Sequence, residues 1–124
     1  MSNTRQPEVW LRGPIPGIAA LIQPVAHSLQ QCREELRAHV SGLSAEQIWA
    51  RPAGAASIGF HVRHAAGSLD RLFTYARGQS LSAEQQDARE AEGRPSGSGI
   101  SLRHWPDQSS IRPRAILTNG LARD

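Results

Sequence analysis

The sequence contains no lysine, a single cysteine and no long apolar run. All basic residues are therefore arginine, a bias that fits a coding sequence rich in G and C better than it fits any function. One cysteine excludes an internal disulfide and a thiolate metal cluster. The longest apolar windows are interrupted by Gln23, Pro24 and His27, and the N-terminus lacks the basic and apolar pattern of a signal peptide. We expect a cytoplasmic protein without a membrane partner.

The positive charge is concentrated at one end of the chain. Residues 1–92 contain nine arginines and nine acidic residues, whereas residues 93–124 contain five arginines and two aspartates, which is the whole formal charge of +3. Arginines without aromatic neighbours other than Trp105 are a weak signal for nucleic-acid binding. The pattern favours a solvated tail over a nucleic-acid interface.

Apolar residues recur at steps of three and four in two long segments, which predicts two amphipathic helices. The first stripe, with a kink or restart expected at Pro24, contains Ile18, Ile22, Val25, Leu29, Cys32, Leu36 and Val40. The second, expected to begin after Ser57 and to end at Gly78, contains Ile58, Val62, Ala65, Leu69, Leu72, Phe73 and Ala76. Two capping-box patterns, Ser44 with Gln47 and Ser82 with Gln85, predict two short helices.

The two ends of the chain lack this periodicity. The proline-rich first 16 residues read as an extended lead-in, with Trp10 and Leu11 as the expected anchors on the core. Residues 93–124 are rich in Gly, Pro, Ser and Arg, which predicts an irregular, disordered tail with at most a short helical run at residues 115–117. Two long helices make a thin core, so exposed stripes also make a homodimer a reasonable outcome.

Two histidines of the second long helix are the main candidates for a site. His61 and His64 are three residues apart and therefore neighbours on the helix surface. Imidazole suits zinc, nickel, iron or copper, but a catalytic site typically needs three protein ligands. From spacing alone, a half-buried packing histidine is the more frequent outcome.

The remaining candidates are weaker. Cys32 lies within the first stripe, where a buried and unreactive thiol is expected. His27 is expected on the exposed side of the first helix. His39, near the end of that helix, is expected to be structural, since the helix dipole favours a cation there.

The run "LSAEQIWARPAGAASIGFHVRHAAGSLDRLFTYARG", residues 43–78, resembles the DinB-like superfamily, which includes YfiT-like and thiol-dependent enzymes. The resemblance covers roughly residues 15–92. It implies an all-α, up-down four-helix bundle with a divalent metal (zinc, nickel or iron) held by three histidines, or by two and a carboxylate. The position followed by small residues maps onto His64, whereas His61 has no role that the resemblance carries over.

The resemblance also implies a metal-dependent transferase or hydrolase acting on small molecules, in some members with a low-molecular-weight thiol as co-substrate. In the family the other ligands come from a late helix with paired histidines, and here only an isolated His104 follows His64. We therefore expect a partial bundle over residues 1–92, apparently truncated, followed by an out-of-frame or otherwise altered end. Such a chain is expected to be inactive as written. The alternative is a non-catalytic helical module that dimerises.

Overall fold

The computed structural model describes residues 5–97, 100–102, 105–107 and 110. Within them lie four helices, α1 (Gln23–Val40), α2 (Ala45–Trp49), α3 (Ile58–Ala76) and α4 (Ala83–Glu90). Short 3-10 turns occur at Val9–Arg12, Ala20–Ile22 and Pro52–Gly54. This part of the chain has no strand, so the all-α class predicted from the sequence is confirmed. None of the described helices has the length and apolar character needed to cross a membrane.

The helices begin where the sequence predicts. Pro24 lies in the first turn of α1, where its missing N–H removes no helical hydrogen bond, so the helix restarts there instead of kinking. Ser44 and Ser82 form complete capping boxes at the starts of α2 and α4. Ser57 Oγ accepts a hydrogen bond from the main-chain N of Phe60 at 3.0 Å and caps α3.

In the described part of the chain, the hydrophobic core forms two small clusters that share α1. The first joins the start of α1 to residues 5–22, the observed extent of the lead-in and the sense in which that name is used below. Its members are Val9, Ile15, Ile18, Ile22 and Ala26. The second joins the later part of α1 to α3 and to residues beyond α4. Its members are Leu29, Leu36, Val40, Val62, Ala65, Ala66, Leu69, Ile100, Leu102 and Trp105. The thin core expected for two long helices is therefore extended by irregular segments at both ends.

The lead-in is anchored by a different residue from the ones expected. Trp10 and Leu11 are 52% and 66% exposed, whereas Val9 is only 2% exposed and lies in the first cluster. A short 3-10 turn begins at Val9 and turns this side chain inward, so the two bulkier neighbours point outward. The prediction of Trp10 and Leu11 as anchors is wrong.

The apolar stripe of α1 is narrower than its sequence suggests. Cys32 is exposed, and Val25 is 48% exposed. Both lie at the same edge of the stripe, and neither belongs to the second cluster. The prediction of a buried Cys32 is therefore wrong.

The described residues from 93 to 107, here named the trailing segment, make turns and bends without a helix, as their composition predicts. They are nevertheless packed, because Leu102 and Trp105 are each 7% exposed. Trp105 Nε1 also donates a hydrogen bond to the main-chain O of Leu29 at 2.8 Å. The short run predicted at residues 115–117 lies outside the described residues, and a domain boundary at residue 92 stays a prediction.

Candidate functional site

Helix α3 carries both candidate histidines on an exposed face, and Phe60 packs against each of them. Its ring stacks on His64, with centroids 5.3 Å apart and an interplanar angle of 10°. It meets His61 edge-on, with centroids 5.5 Å apart. Although the His64 side chain is 51% exposed, one face of its ring is covered by Phe60, which restricts the directions in which its nitrogens point.

Glu92 brings a buried carboxylate to this face of α3. It lies two residues beyond α4, and its side chain is only 8% exposed. Its Oε2 is 2.9 Å from His64 Nδ1, and its Oε1 accepts a hydrogen bond from Arg71 Nη1 at 2.8 Å. Both oxygens are therefore used, and one carboxylate joins two side chains that lie two turns apart on α3.

These contacts set the protonation state of Glu92. Burial alone raises its pKa, but the hydrogen bonds from Arg71 and His64 outweigh burial and hold the pKa of Glu92 below its ordinary value. An ionised carboxylate only accepts hydrogen bonds. The hydrogen in its contact with His64 is therefore carried by Nδ1, and a neutral His64 ring keeps its lone pair on Nε2.

The Nε2 edge of His64 faces a weakly bonded neighbour. Ser68 Oγ lies 3.4 Å from Nε2, and the same Oγ lies 3.4 Å from Arg71 Nη2. Both distances exceed the usual range of good hydrogen bonds, so Ser68 gives way to a stronger partner at small cost. An imidazole with a carboxylate on Nδ1 and an accessible Nε2 can bind a metal ion or accept a proton.

Gly67 provides the space for the carboxylate of Glu92. A Cβ at this position would lie 2.8 Å from Glu92 Oε1 and 2.9 Å from Arg71 Nη1. No side chain fits there without displacing the ion pair. The glycine in "HAAG" thus allows Glu92 to lie directly against the helix that carries His64.

Arg63 holds the chain after α4 in place and so positions Glu92. Its Nη1 donates to the main-chain O of Arg94 at 2.7 Å, and its Nη2 donates to Ser96 Oγ at 2.9 Å. The guanidinium lies 4.4 Å from the centre of the Trp49 ring, a cation–π contact. Trp49 Nε1 in turn donates to the main-chain O of Ser96 at 3.0 Å. Helices α2 and α3 therefore jointly fix the turn that carries Glu92.

The structure brings only one of the sequence candidates into this arrangement. His61 is exposed and lies beside Phe60, and no contact joins it to Glu92 in the described structure. His27 Nε2 is 3.0 Å from the main-chain O of Gly13, and His39 Nδ1 is 2.7 Å from the main-chain O of Glu35. The part of the chain that the structure describes holds no group of three or more His, Cys, Asp or Glu residues placed to bind a metal ion. His104 lies outside the described residues.

Sequence reasoning missed three residues of the site: Glu92, Arg71 and Gly67. Glu92 is 28 residues from His64, so no spacing rule connects them. Arg71 lies seven residues after His64 and shares its helix face, which was a usable signal. The sequence pattern did not indicate what Arg71 binds, because its partner is the distant carboxylate of Glu92.

Comparison with models of protein families gives a match to this chain. The model of the DinB superfamily matches residues 28–115, well over half of the chain. The match includes His64, Glu92 and Trp105, and it continues past residue 92 into the trailing segment. Neither the curated proteins nor the solved structures contain a significant match.

Proposed function

The chain belongs to the DinB superfamily, and we propose that it is a metal-binding helical bundle in which His64 supplies one imidazole ligand to a divalent ion. The observation that carries the proposal is the contact between Glu92 and His64 Nδ1 at 2.9 Å. Histidine ligands commonly donate their second ring N–H to a carboxylate, which fixes the tautomer and makes the ligating nitrogen more basic. Glu92 supports that arrangement, and Nε2 is the nitrogen left for the ion.

The chemistry of the donors limits how far this proposal extends. His64 fits a single ligand, but the carboxylate beside it is occupied by Arg71 and His64, and no three-residue ligand group occurs among the described residues. A zinc, nickel or iron ion bound here would lower the pKa of a bound water or thiol. The described residues do not complete the coordination of such an ion.

Metal binding by the untagged full chain tests the proposal. The chain is dialysed to equilibrium against zinc, nickel or iron(II), and the bound metal is measured by mass spectrometry. We expect a bound ion that is lost in His64→Ala and retained in His61→Ala. The second variant is a matched control, since both histidines are exposed on α3 but only His64 contacts Glu92.

A second pair of variants examines the contribution of Glu92. Glu92→Gln removes the negative charge from the acceptor of His64 Nδ1, and we expect metal affinity to fall by about tenfold or more. Glu90→Gln, an exposed carboxylate near the end of α4, leaves it unchanged. Equal metal binding in wild type, His64→Ala and His61→Ala contradicts the proposal.

Family membership also supports a more specific extension of the proposal. Small molecules are the proposed substrate class, a low-molecular-weight thiol the proposed co-substrate, and transfer or hydrolysis the proposed reaction. The cytoplasmic location expected from the sequence stays a prediction. With a single ligand from the described residues, we expect the isolated chain to lack turnover even when it binds an ion. Measurable turnover of a thiol with an electrophilic substrate that is abolished by His64→Ala contradicts that expectation.

A second candidate function is self-association through α3. Ile58, Leu72 and Tyr75 are 43%, 62% and 55% exposed. They lie on the same broad face as the two histidines, and the arginine on that face, Arg71, is paired with Glu92, so two copies can meet there with little like-charge repulsion. A helical module that completes its hydrophobic core by forming a dimer would expose an apolar surface of this kind.

Sedimentation velocity distinguishes this second candidate. We expect a dimer that dissociates in Leu72→Glu and persists in Gln86→Glu, a control on the exposed side of α4. A chain that stays monomeric at high micromolar concentration rules out this route.

A further inference from the structure

Two arginines one turn apart on α1 line a groove that the site around His64 does not use. Arg33 is half-buried and Arg37 is exposed. The groove has a volume of about 400 Å³, within the range typical of small-molecule sites. Its other lining residues are Val40, Ser41, Leu43, Ile48, Ile100, Ser101 and Leu102.

The groove is positively charged. No acidic residue lines it among the described residues. On α1, Glu34 forms a bidentate ion pair with Arg12 and lies within the electrostatic influence of Arg37, and Glu35 accepts a hydrogen bond from a glutamine. Asp107 lines a neighbouring groove together with the same two arginines, and its Oδ1 accepts a hydrogen bond from the main-chain N of Ser110.

One donor of an arginine that lines this groove is left without a partner. Arg33 Nε is shielded from solvent and has no hydrogen-bond partner among the described residues. A buried donor that stays unpaired is destabilising, and such groups are rare in folded proteins. An oxyanion that pairs with the Arg33 guanidinium through both Nε and Nη would satisfy this donor, because guanidinium groups pair with carboxylate and phosphate in two-point contacts.

The remaining wall of the groove is mainly aliphatic. Ile48 and Leu102 are buried, and Val40, Leu43 and Ile100 are half-buried, so the surface next to the arginines is apolar. We propose that this groove binds a small amphiphilic anion, with a carboxylate or phosphate head against Arg33 and Arg37 and a short aliphatic body along the wall. This site does not depend on His64 or on a metal ion.

Titration calorimetry of the full chain tests the proposal, with octanoate and octyl phosphate as probes. We expect saturable binding with one ligand per chain for at least one of them. Octan-1-ol, which lacks the charge, and acetate and inorganic phosphate, which lack the aliphatic body, bind at least tenfold more weakly. The difference between octanoate and octyl phosphate identifies the preferred head.

Variants connect the binding to the two arginines. Arg37→Gln removes one charge-assisted contact and lowers affinity by about tenfold. Because Arg37 is exposed, the fold tolerates the change, which thermal unfolding checks. Arg33→Lys, which retains the charge but loses the planar donor geometry, also weakens binding, whereas Arg89→Gln on α4 has no effect. Absence of saturable binding, equal affinity for octanoate and octan-1-ol, or unchanged affinity in Arg37→Gln overturns the proposal.

Discussion

The two irregular segments that flank the helices both lie on α1, but different interactions hold them. Besides the first apolar cluster, polar side chains of α1 bind the lead-in. Gln23 Oε1 accepts from the main-chain N of Ile15, and its Nε2 donates to the main-chain O of Ile15 and Ile18, at 2.8 to 2.9 Å. The trailing segment contacts α1 mainly through burial of Trp105 and Leu102 in the second cluster, and polar side chains of α2 and α3 hold its first residues.

The polar face of α1 has a structural role, which is to bind the lead-in. Gln23, His27, Gln31 and Glu34 recur at steps of four, four and three, and each bonds to a residue of the lead-in. A stripe of glutamine, histidine and glutamate invites a functional interpretation, but here the first three side chains pair with main-chain groups of the lead-in and Glu34 pairs with the Arg12 side chain. The trailing segment takes its polar support from α2 and α3, and its tryptophan buries a large apolar surface against α1.

The largest effect is expected at Trp105. Trp105→Ala removes a buried indole and its hydrogen bond to Leu29, so we expect the free energy of unfolding to fall by about 3 kcal/mol or more. Trp10→Ala in the lead-in is the matched control, and its cost is expected to stay below about 1 kcal/mol because Trp10 is 52% exposed. Urea denaturation followed by circular dichroism measures both. Equal costs would mean that the trailing segment is no better packed than the surface of the lead-in.

An intermediate effect is expected at Gln23. Gln23→Ala leaves three main-chain groups of the lead-in without their partner, and we expect a loss of about 1–3 kcal/mol. Gln86→Ala, an exposed glutamine on α4, controls for the helix propensity of the new alanine. Amide hydrogen exchange gives a second measurement, since protection of the Ile15 amide should disappear while that of α3 is retained. Unchanged protection at Ile15 would contradict the assigned role of Gln23.

Much of the fold could be predicted from local sequence patterns. The serine caps of α2, α3 and α4 and the restart at Pro24 depend on contacts within one helical turn, and all four were placed correctly. The wrong predictions concern residues whose burial depends on packing against segments distant in the sequence. Cys32 has helical spacing appropriate for burial, but neither neighbouring segment covers that edge of α1.

The site was only half predictable for the same reason. Resemblance of the "HVRHAAG" run identified His64, but its carboxylate partner comes from the turn after α4 and carries no pattern of its own. Gly67 was visible as a small residue near His64. The reason for a glycine at this position is visible only in the structure, where Glu92 and Arg71 occupy the space that a side chain would need. Long-range polar contacts are decided by the packing of several elements together.

The smallest effect is expected at the ion pair between Arg12 and Glu34, which also holds the lead-in. The hydrogen bond from Arg12 lowers the pKa of Glu34 more than its slight burial raises it. A lowered folded-state pKa means that the pair stabilises the fold above the ordinary carboxyl pKa and that this contribution is lost as pH falls through the lowered value. Glu34→Gln should therefore destabilise the chain slightly at neutral pH, by less than Gln23→Ala, and the difference from wild type should shrink towards about pH 3. Because both side chains are partly exposed, added salt should also reduce the difference.

Urea denaturation of wild type and Glu34→Gln at neutral pH and at about pH 3 measures the difference in free energy of unfolding. A difference that grows on acidification would contradict the assignment.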